Sequence, residues 1–566
     1  MSFNSSKYRP FAPIPMPARR WPDRVIDRAP DWCAVDLRDG NQALVRPMTV
    51  EKKLRLFRVL VDIGVKEIEV GFPAASQPDF DFVRRIIDEN LVPDDVRLQV
   101  LTQSRQDLIA RSFEAVRGAK RVNVHLYNST STVQRDVVFC LDRKGIVDIA
   151  VRGAMWIAEC AQNQPETDFE FEYSPESFTN TELDFAAEIV NAVTAVWRPD
   201  RGQRVVINLP ATVEVATPNV YADMIEWMID HIDHRRFLRV SVHTHNDRGS
   251  GVAAAELGVI AGADRVEGTL LGNGERTGNM DLVTMAMNLY SQGVDPKLDL
   301  SRMKDIVRAV EECTEITTHP RHPWVGELVF TAFSGSHQDA IRKCLARRTD
   351  DEPWNVAYLP IDPEDLGRRY EEVVRLNSQS GKGGVLHVLE RDFGITMPRW
   401  LTIEFAKVVQ TEAERTGGEV DARRVRQLFD AAYVAVPDDA RVVGYDLARD
   451  GERVCAEVTL ADGQRLSGNG GGAVEALIDA WERVRQLPFT VEAFDEMALG
   501  AGTGASAMAC VRVRAGSDVR VGVAFAPDTT AATLQAVSTA IARFESPEKT
   551  ALIAEAGRAG VSLSLG

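Results

Sequence analysis

The sequence predicts an α/β protein: a TIM (β/α)8 barrel, then helical linker subdomains, then a C-terminal duplicated α/β domain. Three observations carry this prediction. Strand-like apolar runs alternate with amphipathic stretches roughly eight times between residues 31 and 275. From about Ser301 to Ala440 the strand rhythm stops and helical spacing dominates. From Arg441 two similar blocks, each read as strand, strand and helix, follow one another. The predicted divisions are an N-terminal arm over 1–30, the barrel over 31–300, the linker over 301–440 and the last domain over 441–566.

The barrel strands in order are "WCAVDL", "KEIEVGF", "VRLQVLT", "RVNVHLY", "DFEFEYS", "RVVINLP", "LRVSVHT" and "RVEGTLL". Between them lie helical stretches such as Val50–Ile63, Asp79–Glu89, Ile146–Ala161, Leu183–Val196 and Val252–Ala261. An open doubly wound sheet shares this alternation. No G-x-G-x-x-G follows the first strand, and the repeat count favours closure. The first strand is read as Trp32–Leu37, opening into a loop at Arg38, Asp39, Gly40, Asn41 and Gln42.

Composition bounds the function. At 566 residues the chain exceeds one ordinary core, and its apolar and charged fractions of 45% and 26% are those of a soluble protein. A net charge of −17 argues against nonspecific binding to nucleic acid or to an anionic membrane. The start, "MSFNSSKYRPFAPIPMPARRW", has no apolar stretch suited to a signal peptide, and no run is long enough to span a bilayer. Seven scattered cysteines without a C-x-x-C pair suit a reducing compartment. A cytoplasmic protein is expected.

In a TIM barrel the chemistry sits where the strands end. Those ends carry Arg38 and Asp39, Gly71 to Pro73, His125, Ser174 and Glu176, Thr212, and "HTHND" from His243 to Asp247. After the last strand comes "GNGERTGN", Gly272 to Asn279. His243 and His245 are two apart, so an extended strand turns both imidazoles to one face. Most such pairs are satisfied polar side chains. With Asp39 from the first strand at the same mouth, they become a plausible divalent-metal site, to which Asn279 offers a neutral oxygen. The mixed N/O set suits Mg²⁺, Mn²⁺ or Zn²⁺.

Here the residues carry a family likeness. "LRDGNQ" followed by Lys53, and "VSVHTHNDRGSGVA", resemble the two signatures of the α-isopropylmalate and homocitrate synthase family. The likeness continues through "VGFPAASQPDFDFVR", "VHLYNSTS", "EYSPESF", "NLPATVE", "GNGERTGN", "AFSGSHQDAI" and "YLPIDPEDLGRRYE", and these segments are most similar to the long form of the α-isopropylmalate synthases. The resemblance implies Asp39, His243, His245 and Asn279 as ligands of a divalent metal, Mg²⁺ first. It implies Arg38, His125, Ser174, Glu176 and Thr212 around a 2-keto acid, with Glu275 in the motif after the last strand. It further implies acetyl-CoA and 2-ketoisovalerate as substrates, condensation and thioester hydrolysis as the reaction, leucine as feedback inhibitor, and a homodimer. In that scheme the cation polarises the keto carbonyl and Arg38 stabilises the developing alkoxide.

His337 and Tyr358 lie beyond the barrel, and by themselves read equally well as an incidental His and a packed Tyr. The resemblance implies that they supply acid–base groups to the partner subunit's barrel. The run "NSQSGKGG", Asn377–Gly384, lacks the P-loop pattern and is read as a turn. The two final blocks resemble the family's leucine-binding regulatory domain; a dimerisation domain without a ligand is the plainer reading. One departure matters: Gly504 and Cys510 stand where long-form members commonly show Asp and Tyr. The competing functions are a homocitrate or citramalate synthase, a thioester lyase, whose cysteine loop is absent, and a catalytically inactive amino-acid sensor.

Overall fold

The structure, a computed structural model, describes residues 5–368, 382–416, 420–499 and 506–544. The chain forms two compact bodies. One runs from the N-terminus to Val329 and takes in Ile361–Arg368; the other holds Phe330–Pro360 and the chain from Arg369 onward.

The first body is built on a closed barrel of parallel strands: β1 (Asp31–Ala34), β2 (Glu67–Gly71), β3 (Arg97–Gln103), β4 (Arg121–Ser129), β5 (Asp168–Glu176), β6 (Arg204–Ala211), β7 (Leu238–Thr244) and β8 (Arg265–Gly268). Closure is made by β1 against β8, with Asp31 opposite Arg265 and Ala34 opposite Gly268. Every expected strand is present, and helices such as Val50–Asp62, Gln77–Asp88, Arg143–Gln162, Leu183–Trp197 and Gly251–Ile260 follow the predicted stretches.

Side chains alternate along the strands, and the polar ones are inside. Ile68 and Val70, Leu98 and Val100, Val122 and Val124, and Val240 and Val242 are buried apolar positions. The intervening Glu69, Gln99, Asn123, His125, Glu172, Asn208 and Glu267 are also buried, and they meet one another both between neighbouring strands and, through Glu267, across the barrel to β3 and β6. The barrel lumen is therefore a hydrogen-bonded polar core rather than stacked aliphatic layers, and each buried charge has a partner, as burial requires. At the N-terminal ends of the strands a cavity of about 280 Å³ is lined by Arg97, Arg121, Arg204 and Arg239 with Glu67 and Glu170. Arg239 is paired there with Asp31, Glu67 and Glu170 at 2.7–2.8 Å.

The first strand ends earlier than expected. It stops at Ala34, and Asp36–Gly40 form a π-helical turn closed by Gly40 N–H donating to Val35 C=O at 3.1 Å. Asp36 fixes this turn: its Oδ1 accepts from the backbone N–H of Leu270 at 3.0 Å, which holds the chain onto the segment after β8. Wide turns of this kind concentrate at functional sites because they re-aim side chains.

The second body holds helices Gly335–Arg347, Lys382–Phe393, Arg399–Thr416 and Ala422–Phe429, followed by two three-stranded antiparallel sheets. The first sheet is β9 (Val442–Asp450), β10 (Arg453–Leu460) and β11 (Arg465–Gly470), with helix Ala473–Arg485 after it. The second is β12 (Thr490–Leu499), β13 (Ser506–Ala515) and β14 (Asp518–Ala526), with helix Thr529–Ala542 after it. Each repeat thus has three strands and a helix, one strand more than the sequence reading. The strand missed in the second repeat, β12, alternates between exposed and half-buried residues and so presents no apolar run. The duplication extends to single residues. A Cβ on Gly468 of β11 or on Gly522 of β14 would lie 2.1 Å from a backbone oxygen of the following helix, Ala476 or Ala536. Only glycine permits this approach.

One face of the second sheet shares a core with the helices before it, where Met508, Cys510, Val521 and Val523 are buried with Leu401, Phe405, Phe429 and Tyr433. Gly504 lies outside the described residues. Of the glycine-rich run, residues 377–381 also lie outside them, and the chain is helical from Lys382 where a turn was expected. Buried Val385, Val388 and Leu389 at helical spacing explain the difference.

Candidate active site

The π turn sets Arg38 and Asp39 side by side at the end of β1. Asp39 Oδ1 accepts from Arg38 Nη1 at 2.7 Å and from Gln42 Nε2 at 3.0 Å. Its Oδ2 is buried without a hydrogen-bond donor and lies 3.5 Å from His243 Nε2 and 3.7 Å from His245 Nε2. The two Nε2 atoms are 3.3 Å apart. His243 closes β7, and His245, just beyond it, is bridged through its backbone to Asn279. Asn279 donates its Nδ2 to Asn273 C=O at 3.1 Å, leaving a buried Oδ1 without a partner.

These three ligand atoms lie within 4.8 Å of one another, and all three residues are buried. Burial opposes charge here, yet Arg38 and the two histidines hold the Asp39 carboxyl well below the usual carboxylate range. Against burial, Asp39 and Glu267 push His243 up to about 10, while burial and the neighbouring His243 push His245 down to about 4. Two imidazole nitrogens and a carboxylate oxygen without a donor fit a divalent cation, and Asn279 is tied to this cluster through its backbone bridge to His245.

Arg38 reaches further in, donating from Nε to Glu69. Glu69 Oε2 lies 3.0 Å from His125 Nδ1, and His125 Nε2 lies 2.7 Å from Ser174 Oγ, which also accepts from Asn208 at 3.0 Å. Against burial, Glu172 and Glu69 raise the His125 pKa. Arg38, His125 and Ser174 thus belong to one network with the Asp39–His243–His245 cluster.

Glu176 and Thr212 are half-buried at the ends of their strands, with other partners. Glu176 accepts from Ser129, and Thr212 Oγ1 accepts from Ser177 N–H at 3.0 Å. Glu275 is half-buried in the loop after β8. His337 and Tyr358 belong to the second body, where their rings stack at 3.9 Å and 25°. Tyr358 is 60% exposed and left-handed at φ +66°. Gln42, Glu69, Gln99, Arg265 and Glu267 were not read from the sequence as part of the site. The available signal was a charge at every second position of "EIEVG" and "RVEG", which marks an inward-facing row.

Comparison with known proteins identifies the family. A 2-isopropylmalate synthase of Alcanivorax borkumensis is 60% identical over 549 residues, 96% of this chain and 98% of that protein. The chain belongs to the 2-isopropylmalate synthase family. Members from Pseudomonas putida (strain W619) and Rhodospirillum rubrum are 52% and 53% identical over 95% and 90% of this chain, and 97% and 93% of their own lengths. Three family profiles match in succession: HMGL-like over residues 29–310, the α-isopropylmalate synthase post-catalytic domain-like profile over 327–390, and the LeuA allosteric (dimerisation) domain over 419–545. The family and the barrel fold expected from the sequence are the ones found, and the chain is a transferase of the 2-isopropylmalate synthase family. Among the described residues no helix is long and apolar enough to cross a membrane, and none of the seven cysteines is disulfide-bonded.

Proposed function

We propose that the chain condenses the acetyl group of acetyl-CoA with 2-ketoisovalerate and hydrolyses the resulting thioester to 2-isopropylmalate and CoA, the committed step of leucine synthesis. The observation that carries this reading is the convergence of Asp39 Oδ2, His243 Nε2 and His245 Nε2 beside the Arg38 guanidinium. Asp39, His243 and His245 would hold the divalent cation, with Asn279 as a further oxygen, and Mg²⁺ is the first candidate before Mn²⁺ or Zn²⁺. When bound, the cation supplies Lewis acidity toward the keto acid.

The protein's own groups do the rest. Arg38 is fixed by Glu69 and Asp39, so its charge is already aimed when negative charge develops on the former carbonyl oxygen. His125 and Ser174, with Glu176 and Thr212 on the rim, orient the carboxylate and side chain of the keto acid. His337 and Tyr358 serve as the acid–base pair, contributed in a homodimer by the partner subunit, and their stacking supports a joint role. The repeated domain binds leucine as feedback inhibitor, and the reaction takes place in the cytoplasm.

The test is release of free thiol from acetyl-CoA, screened over pyruvate, 2-ketoisovalerate and 2-ketoglutarate with Mg²⁺ or Mn²⁺. Turnover highest with 2-ketoisovalerate supports the reading. Preference for either other keto acid reassigns the substrate, and thiol release with none rejects it.

A further inference from the structure

The two histidines of the candidate metal site are not equivalent. The Nδ1 of His243 lies 2.8 Å from Oε2 of Glu267, two residues into β8. The Nδ1 of His245 is buried with no hydrogen-bond partner among the described residues. What holds His245 is its backbone, through the bridge to Asn279 and a bond from its N–H to Ala211 C=O at 3.3 Å.

Glu267 is itself immobilised. Its Oε1 accepts from Arg265 Nη1 at 2.9 Å and from Gln99 Nε2 at 3.0 Å, and its Oε2 accepts from Asn208 Nδ2 at 3.2 Å as well as facing His243. Arg265 is fully buried and held in turn by Glu67 at 2.7 Å, Ser241 at 2.9 Å and Gln99 Oε1 at 2.6 Å. Arg265, Gln99 and Asn208 all present donors to Glu267. The buried Arg265 guanidinium on Oε1, with the amide donors of Gln99 and Asn208, favours the carboxylate, which can only accept. His243 must then donate from Nδ1, which leaves Nε2 as the ligand atom and turns it toward Asp39.

We propose that Glu267 is a positioning residue for the metal: it fixes the tautomer and ring angle of His243 and makes His243 the anchoring imidazole of the pair. The inference rests on the metal reading of the Asp39–His243–His245 cluster. His245, with no such partner, is the adaptable ligand. A carboxylate behind a ligating imidazole raises its basicity and typically carries about 10–100-fold in metal affinity.

The experiment measures Mn²⁺ affinity of the full-length chain by competition with a fluorescent chelator, without substrates. Glu267→Gln keeps the shape but offers an amide N–H2, so His243 loses a dedicated acceptor; a dissociation constant about 10–100-fold weaker is expected. Glu172→Gln, in the same interior and bonded to Asn123 and Arg265 rather than to a histidine of the pair, is expected to bind Mn²⁺ as the wild type does. A folded Glu267→Gln within twofold of wild type, or an equal loss in Glu172→Gln, overturns the proposal. Should Glu267→Gln not fold, the asymmetry is read from His243→Ala against His245→Ala: a larger loss in the first supports the proposal, and equal losses reject it. Absence of saturable Mn²⁺ binding by the wild type rejects the metal reading itself.

Discussion

Asp39 Oδ2 stands 3.5 Å from His243 Nε2, while the other oxygen of the same carboxylate is taken by Arg38 at 2.7 Å. One carboxylate thereby joins the ends of β1 and β7 and divides its oxygens between a ligand position and an ion pair.

That division predicts the effect of removing the ligand oxygen. Asp39→Asn or His243→Ala should remain folded, lose turnover by about 100-fold or more and bind Mn²⁺ correspondingly more weakly. Chelation of the wild type with EDTA should abolish activity, and Mg²⁺ or Mn²⁺ should restore it. Near-normal turnover by either variant at low metal concentration would remove the site assignment.

Arg38→Lys separates metal binding from charge stabilisation. A lysine has no planar fork, so it cannot hold Glu69 and Asp39 together as Arg38 does. Turnover should fall by about 10²–10³-fold, the scale of losing one oriented donor, while Mn²⁺ affinity changes by less than about tenfold. Steady-state rates beside the Mn²⁺ titration check the split.

Asp36 provides a pH test. Its Oδ2 is buried without a donor, and burial pushes the carboxyl up to about 8. A raised folded-state value means that protonated Asp36 favours the folded chain. Its contribution is complete below the unfolded value near 3.8 and is lost as pH rises through about 8. Asp36→Asn keeps an oxygen for Leu270 N–H and carries no charge. Its stability relative to wild type should therefore rise between pH 5 and pH 8, with a slope approaching about 1.4 kcal/mol per unit. Urea denaturation at the two pH values measures this, and a pH-independent difference would contradict it.

His337→Ala should be catalytically crippled yet bind Mn²⁺ normally. Mixed with Arg38→Ala under subunit exchange, it should recover part of the activity if the two groups serve one site from different chains. Confirmed exchange without recovery would place both contributions in a single chain.

Leucine should bind the intact chain saturably and slow condensation, with a coupling of about 1–3 kcal/mol. A deletion ending near Ala440 is a poor probe, because Met508 and Cys510 share a core with Phe405 and Phe429. Removing them would expose that core and confound loss of binding with loss of fold. Cys510 is fully buried, and burial pushes its thiol up to about 12, so its place there is packing. Calorimetry of the full chain alongside initial rates decides: no heat and no change in rate would dismiss leucine as the effector.

The sequence alone determined what depends on local spacing. Strands and helices of the barrel follow from alternating and helical apolar periods, each a matter of neighbours within one segment. His243 and His245 share a face because strand side chains repeat every second residue, and the strand ends carrying Arg38, Asp39, Ser174 and Thr212 could be listed once eight repeats implied closure. Even locally the reading failed where a tertiary bond intervened: β1 ends at Ala34 because Asp36 is bound to Leu270, which no spacing announces. The polar lumen was decided only by the tertiary structure. Glu267 of β8 meets Gln99 of β3 and Asn208 of β6, and Arg265 of β8 meets Gln99, only when the sheet closes on itself. In a single strand each is an unpaired charge or amide among apolar residues. Closure withdraws all of them from water together, and a buried charge must then be met by a complementary group from another strand.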